Sequence, residues 1–145
     1  DHRDLHYPLR RQRQMCIRDR IMKINTFDID GVIYFGEGIT GVRPCDGDII
    51  ITGRPIDEEK ETIKMLKKRR IYNTVYFNPI ARDNYQYNRG TSGKFKAGII
   101  TTLKKLGYEI GMHFEDDPIQ IDEIKKDHPE LNIIYLKRED GILEY

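Results

Sequence analysis

Four segments of the chain carry side chains suited to a phosphate and a divalent cation. Asp28 and Asp30 lie two apart in Phe27-Asp28-Ile29-Asp30-Gly31-Val32, so on extended backbone both carboxylates point to one side, and Gly31 lets the chain turn sharply. Thr52-Gly53-Arg54 ends a second apolar run with a hydroxyl. Lys94 and Lys96 open a helical pattern, and Phe114-Glu115-Asp116-Asp117-Pro118 closes another run with an acidic cluster. Carboxylates, a hydroxyl and an ammonium gathered on one edge are what a divalent cation and a phosphate would require.

The elements that must position them follow from the alternation of short apolar runs with longer helical patterns, the signature of strands joined by crossover helices. Strands are predicted over residues 24–29, 48–52, 73–77, 110–114 and 133–136. Helices are predicted over 57–70, with Ile63, Leu66 and Arg70 on one face, and over 93–106, with Phe95, Ile99, Thr102, Leu103 and Leu106 on one face. Ser92 is the expected cap of the second helix, and Asp117 with Pro118 opens a shorter one running to about Lys126. The expected fold is therefore α/β, a three-layer Rossmann-like domain with a mostly parallel five-stranded sheet. Ligands of such sheets gather outside the carboxyl ends of the strands, where these polar segments fall. The glycine-rich stretch 34–47 reads as a turn or small flap, and 79–91 as a polar loop long enough to be functional.

Composition narrows the function classes. The 25 basic and 24 acidic residues leave a net charge of +1, which gives no support for a nucleic-acid wrapper, and no apolar run approaches the roughly 20 residues of a membrane span. Cys16 and Cys45 are too few for a disulfide scaffold or a cysteine zinc site, so a reducing, cytoplasmic location is expected. The basic excess sits in residues 1–20, which hold six Arg and three Asp and leave 19 basic against 21 acidic side chains in the rest. That head resembles a translated sequencing adapter, matched over ten consecutive positions from Arg10 to Asp19. It is expected to be a non-native, disordered extension, with Met22 as the native start and residues 21–145 as one domain.

Together, FDIDGV at 27–32, IITGR at 50–54, a lysine at the start of the next crossover helix, and FEDDP at 114–118 resemble the four motifs of the haloacid dehalogenase superfamily, in family order. The resemblance implies a magnesium-dependent phosphomonoester hydrolase. Asp28 would be the nucleophile that becomes an aspartyl-phosphate, and Asp30 the general acid, then base. Thr52 would donate to a phosphoryl oxygen and Lys96 would neutralise it, with Gly53 and Arg54 contacting substrate. Asp116 and Asp117, with Asp28 and Asp30, would hold Mg²⁺. The choice between Lys94 and Lys96 stays open, as does which of Glu115, Asp116 and Asp117 bind metal. Only 21 residues separate Asp30 from Thr52 in this reading, too few for a helical cap domain. Capless relatives have open sites, which implies a phosphorylated small molecule, a nucleotide or a polynucleotide end as substrate. No membrane partner and no protein partner is evident.

Other readings compete. A receiver-like phosphoacceptor domain uses similar groups in a different order along the chain, and a non-catalytic binding protein could keep the same fold. Gly36 to Gly41 matches a dinucleotide fingerprint literally, but Val-Arg-Pro follows it in place of a helix. His113 reads as a core or edge histidine, His128 as a residue that caps or follows a helix, and 64–70 as a solvated helix face. Arg82, Tyr85, Tyr87 and Arg89 could stack on and neutralise a nucleotide or nucleic-acid end, but an ordinary polar connection is the favoured reading.

Overall fold

A computed structural model describes residues 22–137; the adapter-like head lies outside them. Its elements are β1 (Met22–Phe27), β2 (Ile49–Pro55), a short 3-10 turn (Ile56–Glu58), α1 (Glu59–Lys68), β3 (Val75–Asn78), α2 (Arg89–Lys105), β4 (Tyr108–Glu115), α3 (Pro118–Asp127) and β5 (Ile133–Tyr135). All five predicted strands are present, and every pairing among them is parallel, in the order β3-β2-β1-β4-β5.

Alternation along β2 builds the layers. Ile49 and Ile51 point into one apolar cluster with Ile24, Ala97, Ile100, Leu103, Ile110 and Ile124, which α2 and α3 cover. Ile50 points to the other face, where Phe27, Ile29, Val32, Ile33, Leu66 and Ile71 pack beneath α1. Parallel strands buried on both faces explain why these runs are nearly continuous in isoleucine. On the second face the rings of Phe27 and Phe114 stack at 4.6 Å between centroids, tying β1 to β4.

The chain moves outward from β1 through β2 to β3, then returns to lay β4 on the other side of β1. Its direction of winding thus reverses between β1 and β4, a topological switch point at which a crevice opens beyond the strands' carboxyl ends. Asp28 and Asp30 follow β1, and Glu115, Asp116 and Asp117 end β4 and lead into α3, so both acidic segments border that crevice.

Two helix expectations need correction. Asn88, not Ser92, caps α2, which begins four residues early at Arg89: Asn88 Oδ1 accepts the Thr91 N–H at 2.8 Å while Thr91 Oγ1 accepts the Asn88 N–H at 3.0 Å. This reciprocal box overrides the poor helix propensity of Gly90 and Gly93. The buried face of α2 is Lys96, Ala97, Ile100 and Leu103, whereas Leu106 is 64% exposed. The run 64–70 is also more than a solvated face. Arg69 donates to the carbonyls of Ile39 at 2.9 Å and Gly36 at 2.9 Å, and its guanidinium lies 5.0 Å from the Tyr34 ring centroid, pinning the 34–47 flap to the end of α1.

Gly93 marks the closest approach of α2 to α3. A Cβ there would lie 2.8 Å from Glu123 Cβ and 2.9 Å from Gln120 Cα, so α3 would have to shift. Gly93→Ala gains about 1 kcal/mol of helix propensity, but overpacking of this kind costs about 1–3 kcal/mol. The expected result in urea unfolding is a net loss of stability, whereas Gly98→Ala, with open space around its Cβ, should stabilise.

Candidate active site

Lys96 is the centre of the crevice. Its side chain is 1% exposed, and Nζ lies 3.0 Å from Asp28 Oδ1 and 2.8 Å from Glu115 Oε1. Lys94, two residues earlier on α2, is exposed. Burying an ammonium is unfavourable unless it is paired and hydrogen-bonded. Here burial opposes the charge, but Asp28 and Glu115 more than offset it and hold the Lys96 pKa above its ordinary value. For Asp28 the balance goes the other way: burial, then the charge of Glu115, holds its carboxyl well above the usual range despite Lys96.

Oxygens of Asp28, Glu115 and Asp116, all three buried, come within 4.8 Å of one another. An octahedral magnesium ion holds oxygens at about 2.1 Å, so ligand atoms of one ion lie up to about 4.2 Å apart, and the acidic cluster fits that size with small side-chain adjustments. Glu115 also receives a contact from His113 Nε2 at 3.2 Å and the Asp116 N–H at 3.3 Å, which makes it the anchor of Lys96.

The other predicted residues fall around this cluster in distinct settings. Asp30 is engaged side-on by Arg54, with Nε to Oδ2 at 2.9 Å and Nη2 to Oδ1 at 2.7 Å, while Arg54 Nη1 donates to Thr62 Oγ1 at 3.2 Å. Gly31, with φ of 79°, turns the chain directly after Asp30, as its position suggested. Thr52 is wholly buried; its Oγ1 accepts the Arg54 N–H at 3.0 Å, and the crevice wall beside it is made by Gly53, Arg54 and Ser92. Asp117 lies outside the acidic cluster of Asp28, Glu115 and Asp116. Its carboxylate caps α3 by accepting the Ile119 N–H at 2.9 Å and is gripped by Arg89 at 2.8 and 2.6 Å. Burial works against ionisation of Asp117, but Arg89 and the Ile119 N–H outweigh it and lower its pKa.

Sequence reasoning missed Ser92, Asn88 and Gln120 as lining residues, and Glu115 was left among alternatives. It also placed Arg82, Tyr87 and Arg89 in an ordinary connection, whereas all three line the crevice. The Arg and Tyr interleaving was the signal.

His113 is a core histidine, as its place in a strand pattern suggested. Fully buried, it contacts Thr26 Oγ1 through Nδ1 at 2.7 Å and Glu115 through Nε2. Burial, reinforced by Lys96, lowers its pKa to about 3, so the ring is neutral. A carboxylate can only accept, which assigns the proton to Nε2 and makes Thr26 the donor to Nδ1.

No protein-family profile and no curated protein matches the chain. A chain in the structure of the Pnkp1/Rnl/Hen1 RNA repair complex is similar in fold, with a TM-score of 0.62 and 14% identity over 83% of this chain. The match spans 44% of that chain's length. The shared feature is the α/β Rossmann-like architecture. No helix among the described residues is long and apolar enough to cross a membrane.

Neutral His113 has a consequence for stability. Its pKa is about 3 when folded against 6.5 ordinarily, so between those values the unfolded chain binds a proton that the folded chain refuses. The contribution is complete above pH 6.5 and is lost as pH falls towards about 3. In urea unfolding between pH 6.5 and 5, wild type should lose up to about 1.4 kcal/mol per pH unit more than His113→Gln. Parallel curves would contradict a neutral buried imidazole.

Proposed function

We propose that this protein is a magnesium-dependent phosphomonoester hydrolase that works through an aspartyl-phosphate on Asp28. The observation that carries this reading is the buried Lys96 ammonium, 3.0 Å from Asp28 and 2.8 Å from Glu115, beside the Asp116 carboxylate at the switch point of the sheet. The motif resemblance to the haloacid dehalogenase superfamily points to the same residues.

In this reading Asp28 and Asp116 would hold the cation, joined by the Asp30 carbonyl as the resemblance implies. Bound there, it would balance the negative charge of the carboxylates and of a phosphoryl group. An Asp28 oxygen then bonds to phosphorus as the ester P–O bond breaks, and the leaving oxygen takes a proton from Asp30. Water next attacks the phosphoryl-aspartate and gives its proton to Asp30, releasing inorganic phosphate and restoring Asp28. Lys96 balances charge on the transferring group without moving, because two carboxylates already fix it. For Asp30 to pass a proton, one of its two bonds to Arg54 has to open, which frees a guanidinium edge for the substrate. Ser92 lines the crevice, and Thr52 is buried next to its wall residue Gly53.

The strand order β3-β2-β1-β4-β5 argues against the receiver reading, since receiver-type sheets run 2-1-3-4-5. The free, exposed thiol of Cys45 suits a reducing cytoplasm.

Phosphate release from p-nitrophenyl phosphate should require Mg²⁺, stop with excess EDTA and return when Mg²⁺ is restored. Asp28→Asn keeps a polar partner for Lys96 and should retain the fold by circular dichroism while losing at least about 10³-fold in turnover. Turnover at the wild-type rate by Asp28→Asn would rule out the nucleophile.

A further inference from the structure

Resting on the hydrolase reading, we infer that residues 79–88, between β3 and α2, form a platform for the nucleotides of a single-stranded oligonucleotide whose terminal phosphate enters the crevice. The crevice measures about 210 Å³. Sites that enclose a whole drug-sized ligand begin at about 300 Å³, so this one is too small to enclose a substrate of that size or larger, and the body of such a substrate lies on the rim.

The rim has the groups for that body. Arg54, Arg82 and Arg89 all line the crevice, and each grips a carboxylate side-on through Nε and Nη2. Arg54 spends its remaining Nη1 on Thr62. Arg82, paired with Glu58, and Arg89, paired with Asp117, keep Nη1 outside the pair, and their side chains are 44% and 59% exposed. A guanidinium already fixed by one carboxylate loses little further rotamer freedom on binding a phosphodiester, and it keeps donors for it.

Two tyrosines lie between Arg82 and Arg89 along the chain. Tyr87 is fixed by its hydroxyl, which donates to the Gly53 carbonyl at 2.9 Å, and Arg82 lies 5.5 Å from its ring centroid. Two residues before it, Tyr85 is 91% exposed. Its backbone is not loose: Asn84 and Tyr87 N–H groups bond to the Ala81 and Asn84 carbonyls, the Gln86 N–H bonds to Asn84 Oδ1, and Thr91 Oγ1 holds the Gln86 carbonyl. An ordered loop that holds a ring out in solvent, in a segment flanked along the chain by the crevice-lining Arg82 and Arg89, offers a face on which an unpaired base can stack while cations track the backbone. A phosphopeptide would use the arginines and leave the ring idle.

The test compares kcat/KM of the full chain, in Mg²⁺, for p-nitrophenyl phosphate, thymidine monophosphate, a phosphoserine peptide, and oligothymidylates of about ten nucleotides carrying a 3′- or 5′-phosphate. One of the oligonucleotides should exceed every other substrate by about 100-fold, with a KM that rises with salt. Arg82→Ala combined with Tyr85→Ala should narrow the ratio of oligonucleotide to aryl phosphate about tenfold, through KM. Hydrolysis of the aryl phosphate with no oligonucleotide preference, or with preference for the peptide, overturns the platform and leaves the hydrolase. If no ester is turned over, fluorescence anisotropy of the labelled phosphorylated oligonucleotides decides. Binding weakened about tenfold by the double variant supports the platform and sinks the hydrolase, while no binding overturns the platform.

Discussion

A buried ammonium between two buried carboxylates is the constraint on which the rest of this structure depends. Lys96 projects from α2, Asp28 follows β1 and Glu115 ends β4, so a single set of short contacts joins a helix and the two strands that flank the switch point. Removing one partner from such a buried set costs about 3–5 kcal/mol, because a charge is left without compensation. Such a cluster contributes specificity of arrangement more than net stability. The apolar clusters on the two sheet faces supply the burial that holds it in place.

The charged residues around that centre are arranged as a series of fixed pairs. Arg54 holds Asp30, Arg89 holds Asp117, Arg82 holds Glu58, and neutral His113 steadies Glu115 from behind. Each pair reduces the freedom of a long side chain before any substrate arrives, which is the physical content of preorganisation. The carboxylate cluster is the reverse case. Asp28 is held well above the usual carboxylate range by burial and by Glu115, so a cation at the cluster would favour its ionised form.

The layout of the sheet was legible in the sequence because buried parallel strands leave short apolar runs and because Gly, Asp and Pro mark their ends. The convergence of Asp28, Lys96 and Asp116 followed from the same logic, since residues at strand ends share one edge. What was not legible depends on side-chain direction and on contacts between distant segments. Nothing in Glu115-Asp116-Asp117 says that the first residue joins the buried cluster with Asp28 and Asp116 while the third, on the crevice wall, caps α3. Thr52 carries the expected hydroxyl at the expected strand end and is wholly buried, with Gly53 and Arg54 on the crevice wall beside it. Asn88 could have been found, because an Asn three residues before a Thr permits a reciprocal cap. The burial of His113 followed from its strand pattern, but its partners did not, because Thr26 and Glu115 sit on two different strands.

The central claim is that the carboxylate held by Lys96 accepts the phosphoryl group, and the most direct measurement is to catch it there. The protein is mixed with a phosphomonoester and Mg²⁺, quenched in acid, reduced with borohydride and digested, since borohydride converts an acyl phosphate on aspartate to homoserine. Homoserine is expected at position 28 in place of aspartate. Homoserine at any other aspartate, or a substrate that turns over while every aspartate stays unmodified, would contradict it.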